Sequence, residues 1–66
     1  MPIDSNITRI TVTLCADQAQ AYAQFLKRVG LSDYTALAVN VDEAYLMQAA
    51  GQAIRQELAR AGHAPR

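Results

Sequence analysis

One segment of this sequence has the pattern of a β-strand, and no other segment matches that pattern well. Between Ile7 and Leu14, apolar side chains alternate with polar ones, and most of the residues are β-branched. The apolar positions are Ile10, Val12 and Leu14, and the polar ones are Arg9, Thr11 and Thr13. This alternation is typical of a half-buried strand. A single strand leaves its backbone N–H and C=O groups unpaired, so the pattern predicts pairing with a second copy of the chain.

The length of the chain also indicates a partner. A chain of 66 residues forms one small domain at most, and such domains are only marginally stable alone. Cys15 is the single cysteine, which excludes an intrachain disulfide and a cysteine-rich metal site. Alanine supplies 13 residues, so an apolar content of 52% overstates the side-chain volume available for a core. We therefore expect a homodimer with a two-stranded antiparallel ribbon, on which the helices pack.

Helical periodicity begins directly after the strand. A first helix is predicted over about residues 16–29 and a last helix over about residues 42–61, with a short helical turn between them. The expected start signals are Cys15, Ser32 and Asn40, with Glu43 completing a capping box, and the expected end signals are Gly30 in a left-handed conformation and Gly62. The predicted fold class is α+β, in the order β-α-α.

A rival interpretation makes residues 36–41 a second strand. This would give a β-α-β-α order, with a parallel pair of strands inside one chain. The run is short, rich in alanine and poorly alternating, so the helical turn is the preferred prediction. The whole chain is expected to be one domain, with flexible ends at residues 1–6 and 63–66.

No pattern in the sequence predicts catalysis. General acid–base, nucleophilic and metal-assisted mechanisms need several converging groups, and the only histidine, His63, lies beyond the last predicted helix. Cys15 is either an oxidant-sensing thiol at a helix start or a small capping residue, and the second interpretation is preferred because there is no resolving cysteine. We therefore expect no enzyme activity, no cofactor and no metal ion.

Gly51 lies inside the last predicted helix, where glycine costs about 1 kcal/mol relative to alanine. Its place beside an apolar stripe predicts the close approach of another helix, and a tolerated, exposed glycine is the alternative. The candidate interface residues are therefore Gly51 and the apolar strand face, Ile10, Val12 and Leu14.

The polar strand face, Arg9, Thr11 and Thr13, is the candidate binding surface. In a ribbon, these side chains from two copies would line one side, where they can contact base edges in a DNA major groove. The alternative is a solvated, threonine-rich face, and the net charge of zero gives no general attraction to nucleic acid. The strand, the helix and the tight turn Gly30-Leu31-Ser32 resemble ribbon-helix-helix repressors, which implies a DNA-binding regulator.

A second resemblance spans most of residues 7–66. The segments that carry it are Phe25-Leu26-Lys27-Arg28-Val29-Gly30, Ser32-Asp33, Asp42-Glu43-Ala44-Tyr45-Leu46-Met47 and Ala61-Gly62-His63-Ala64-Pro65-Arg66. They resemble a group of short uncharacterised proteins carried on bacterial plasmids and integrative elements. The resemblance implies an accessory role on a mobile element and no particular site residues.

The predicted function is a non-catalytic, homodimeric interaction module that binds an unidentified protein, with Tyr34 and Tyr45 as candidate contacts. The alternative is a ribbon-helix-helix-like regulator that reads DNA with the outer strand face.

No stretch approaches the roughly 20 apolar residues of a membrane span, and residues 1–6 lack a secretion-signal pattern. We therefore expect a cytoplasmic location and no membrane partner.

Overall fold

The computed structural model describes residues 7–63, which form three α-helices. The helices are α1 (Ala16–Arg28), α2 (Leu31–Leu37) and α3 (Val41–Arg60). Residues 7–14 precede α1 without regular secondary structure, and we call them the N-terminal arm. The predicted flexible ends lie outside the described residues, except for His63.

The predicted α+β fold with a paired strand is wrong, because residues 7–63 are all-α. A strand needs a ladder of hydrogen bonds to a neighbouring extended segment. The described part of the chain offers no such segment, so the arm keeps its sequence alternation without forming a strand. The rival second strand at residues 36–41 is also wrong, because α2 continues to Leu37 and α3 begins at Val41.

The start of α3 follows the predicted capping signals. Asn40 is the N-cap residue, and its side-chain oxygen accepts a hydrogen bond of 2.8 Å from the Glu43 backbone N–H. The Glu43 carboxylate in turn accepts a hydrogen bond of 2.8 Å from the backbone N–H of Val39, one residue before the cap. Two backbone donors that the helix itself cannot satisfy are thereby paired.

The end of α3 is a Schellman motif at Gly62. The Gly62 backbone has φ of 99°, a left-handed conformation that glycine adopts without steric cost. The N–H groups of Gly62 and His63 donate to the carbonyl oxygens of Ala59 and Leu58, at 3.0 and 2.8 Å. The helix therefore ends where the sequence predicted.

The turn between α1 and α2 differs from its prediction. Gly30 has φ of −112° and is the N-cap of α2, so it is not the left-handed end of α1, and Ser32 is not the cap. The Gly30 backbone N–H donates to the Asp33 carboxylate at 2.8 Å. This contact places a negative charge at the start of α2, where it complements the helix dipole. The connection therefore depends on Asp33 and needs no positive φ.

Helix α3 is the centre of the packing, because α1 and α2 each lie against α3 and the described residues show no close approach between α1 and α2. Gly51 of α3 lies at the crossing. A Cβ atom placed on Gly51 would be 2.5 Å from Oη of Tyr34 in α2 and 3.5 Å from Cδ2 of Leu26 in α1. The close approach of another helix that the sequence predicted at Gly51 is therefore present within the chain. The buried hydrophobic residues are Ala19, Ala23, Leu26 and Ala44.

The Tyr34 hydroxyl is the group that excludes a side chain at residue 51. In a Tyr34→Phe protein the next ring atom, Cζ, would lie 3.6 Å from a Cβ at residue 51, which is ordinary contact. We expect Gly51→Ala to stabilise the Tyr34→Phe protein by about 1 kcal/mol, the helix-propensity gain of alanine over glycine, and to give the native protein no such gain. Urea denaturation of the four proteins of this cycle, at one protein concentration, measures the difference. Equal effects of Gly51→Ala in both backgrounds would contradict the contact.

The Asn40 cap gives a second test. We expect Asn40→Ala to lower the free energy of unfolding by about 1 kcal/mol, because the Glu43 N–H loses its acceptor. Asn40→Asp is the matched control, since it keeps a side-chain oxygen at the same position and is expected to retain native stability. Thermal and urea denaturation followed by circular dichroism measure both variants. A native-like Asn40→Ala protein would show that the cap does not stabilise α3.

Candidate interaction surface

The described residues expose many more large apolar side chains than they bury. Three of the four buried hydrophobic residues are alanine, whereas twelve large hydrophobic residues are exposed. The exposed ones lie on the arm, on α1, around the connection between α2 and α3, and on α3. So many exposed large apolar side chains on a small protein indicate an interaction site where they cluster.

The first part of this surface is a groove between the arm and the helices, which we call the arm groove. Its volume is about 370 Å³, and its lining consists of Ile10, Val12 and Leu14 of the arm, Gln18 and Tyr22 of α1, and Ile54 and Leu58 of α3. Ile10 and Val12 remain 71% and 65% exposed. The apolar side of the arm therefore shares a groove with α1 and α3 but is not covered by them.

The second part is a cleft between α1 and α2, which we call the α1–α2 cleft. Its volume is about 450 Å³, and its apolar lining consists of Ala21, Phe25, Val29 and Leu37. The polar groups of the lining belong to Arg28 on α1 and to Asp33 and Tyr34 on α2. Leu37 is 83% exposed and Phe25 50% exposed, so the cleft is open to solvent.

A stacked pair of aromatic rings connects the arm groove to the α1–α2 cleft. Tyr22 lines the arm groove and Phe25 lines the cleft. Their ring centroids are 5.4 Å apart and their planes differ by 16°. The arm groove and the cleft therefore adjoin on α1, and we call them, together with the ring pair, the apolar face.

The residues predicted to contact DNA, Arg9, Thr11 and Thr13, are all exposed on the arm. None of them lines the arm groove or the α1–α2 cleft. The DNA hypothesis depended on a hydrogen-bonded ribbon that holds these side chains in a regular array. Residues 7–63 contain no strand, so that array is not formed.

Within residues 7–63, no group of three or more His, Cys, Asp or Glu side chains is arranged to hold a metal ion. Cys15 is exposed and caps α1, and its backbone N–H donates to the Gln18 side-chain oxygen at 3.0 Å. His63 contributes its backbone N–H to the end of α3. No helix in this part of the chain combines the length and the apolar character needed to cross a bilayer.

Comparison with known proteins identifies the family. The chain matches a family of unknown function (DUF7706) over residues 1–66. The chain belongs to this family. No curated protein and no solved structure matches it. Family membership agrees with the resemblance to uncharacterised proteins. The family match assigns a function to no residue of this chain.

The α1–α2 cleft of this DUF7706 protein was not predicted from the sequence. The sequence patterns named Phe25 and Asp33 only as parts of segments that carry a family resemblance, and neither residue was a candidate site residue. One signal was available: Phe25 lies two positions after Ala23, which puts it on a different side of the helix from the buried residues. An apolar side chain outside the buried stripe indicates a second contact surface.

Proposed function

We propose that this DUF7706 protein is a non-catalytic interaction module that works as a homodimer. The observation that supports the proposal is the arm groove, in which apolar side chains of the arm lie beside α1 and α3 and stay largely exposed. The small buried core also favours a partner. A chain of this length that buries mostly alanine gains little hydrophobic stabilisation by itself, and covering the apolar face with a partner supplies more.

A second copy is the partner that fits the arm groove. Each chain offers two apolar elements, the arm with Ile10 and Val12 and the helical wall with Ile54 and Leu58. In a two-fold symmetric pair, the arm of one copy packs on the helical wall of the other, and the reverse contact forms at the same time. Side-chain packing alone makes this contact, without any strand pairing.

The dimer leaves another apolar region for a different protein. Val39 is 83% exposed, Leu46 71% and Tyr45 54%, and all three lie near the start of α3. Tyr34, the other tyrosine expected to contact a partner, packs against Gly51 and also lines the α1–α2 cleft. We assign protein binding to this region around Tyr45, because exposed aromatic and aliphatic side chains are typical of interface centres.

The resemblance to proteins of plasmids and integrative elements suggests that this role is an accessory one on a mobile element. The resemblance to ribbon-helix-helix repressors depended on the strand, so no described feature favours DNA binding over protein binding.

The dimer can be tested with two double variants of the arm. We expect the native protein to be dimeric at micromolar concentration in sedimentation experiments. In Ile10→Ser/Val12→Ser the dissociation constant should rise at least about 100-fold, because four apolar side chains per dimer lose their burial. The folded chain itself should lose little stability, because both side chains are mostly exposed within one copy.

Thr11→Ser/Thr13→Ser is the matched control, since it changes the same segment outside the arm groove. It should dimerise like the native protein. A native protein that stays monomeric at high micromolar concentration would refute the homodimer, and equal dimerisation of both double variants would place the interface elsewhere.

A further inference from the structure

We infer that the two-fold axis of the homodimer runs along the apolar face, so that Arg28 of each copy pairs with Asp33 of the other across the α1–α2 cleft. This inference rests on the proposed homodimer and extends it, because it names the second half of the interface and the residues that set its register.

The α1–α2 cleft has opposite charges on its two walls. Arg28 lies on the α1 wall and Asp33 on the α2 wall. Arg28 makes no ion pair with any residue in the described part of the chain. One carboxylate oxygen of Asp33 accepts the Gly30 N–H, which leaves the other oxygen for a further contact. The cleft thus offers one cation and one anion that do not pair with each other within the copy.

A two-fold axis along the cleft exchanges its walls between copies. The α1 wall of one copy then faces the α2 wall of the other, and each Arg28 meets an Asp33 of the opposite copy. Both ion pairs form in one operation, and the exposed side chains of Phe25 and Leu37 are covered between the two copies. The cleft is therefore complementary in charge to its own symmetry copy.

The same two-fold axis also brings the arm groove of one copy against the arm groove of the other. The stacked rings of Tyr22 and Phe25 place the groove beside the cleft on α1, and we infer that one axis passes along both. Along that line, the arm of one copy meets the Ile54 and Leu58 wall of the other, while Arg28 meets Asp33. A single symmetric contact thus covers two separate concave regions. An unrelated partner would have to reproduce this arrangement of apolar and charged groups, whereas a second copy supplies it by symmetry.

The charges are expected to set the register of the contact more than its strength, because rim charges mainly select the partner and its orientation. In Arg28→Glu, each glutamate would face Asp33 of the other copy, and in Asp33→Lys each lysine would face Arg28. We therefore expect each variant alone to dimerise at least about tenfold more weakly than the native protein. Mixing the two variants should produce a heterodimer with near-native affinity, since both cross-copy pairs then have opposite charges.

Native mass spectrometry of the mixture measures this result, because the two variants differ in mass and the heterodimer is resolved from both homodimers. Lys27→Glu is the matched control: it makes the same charge change in the last turn of α1, at a residue that does not line the cleft. It should dimerise like the native protein. Asp33→Lys also removes the acceptor of the Gly30 N–H, so circular dichroism is used to check its helical content.

A variant that avoids this loss is Arg28→Glu/Asp33→Asn, which keeps a side-chain oxygen at residue 33 and removes its charge. It should dimerise more tightly than Arg28→Glu alone, because the repulsion across the axis is gone. Preferred heterodimer formation together with this partial recovery supports the inference.

The outcomes separate the two proposals. A monomeric native protein would overturn the homodimer and the inference together. A dimeric native protein in which Arg28→Glu weakens dimerisation no more than Lys27→Glu would overturn only the Arg28–Asp33 pairing and leave the arm contact standing. A clear effect of Arg28→Glu without recovery in the mixture or in the double variant would also overturn the pairing.

Discussion

The contact around Gly51 holds the described part of this protein together. Helix α1 brings Leu26 to it and helix α2 brings Tyr34, so both shorter helices are positioned on α3 at one point. The absence of a side chain at Gly51 lets both approach closely, at the cost in helix stability that an internal glycine carries. The arm groove and the α1–α2 cleft exist because α1 and α2 are held at these places on α3.

This way of packing leads to an exposed apolar surface. Helices that meet through alanine and glycine come close together, but they bury little side-chain volume. The larger apolar side chains, such as Phe25 and Ile10, are left outside the contact. A protein with this distribution gains stability when a partner covers it, which is the physical basis of the proposed homodimer.

The sequence predicted the helices well, because the signals for their ends are local. A cap needs only a few neighbouring residues, and Asn40, Glu43 and Gly62 act within one helical turn of their positions. Gly30 shows where local reasoning is insufficient. Glycine suits both a left-handed helix end and an N-cap, and the Asp33 carboxylate, which binds its N–H, favours the second.

The sequence by itself determined the three helices, the glycine contact in α3 and the apolar side of the arm. It could not determine whether that arm forms a strand, because a strand depends on a neighbouring segment that pairs with it. Only the tertiary structure decided that the arm lies beside α1 and α3 as part of an open groove, and that Arg28 and Asp33 line one cleft. The physical reason is the range of the interactions: capping acts over three or four residues, whereas the arm groove and the cleft depend on how the arm and whole helices are placed against one another by packing.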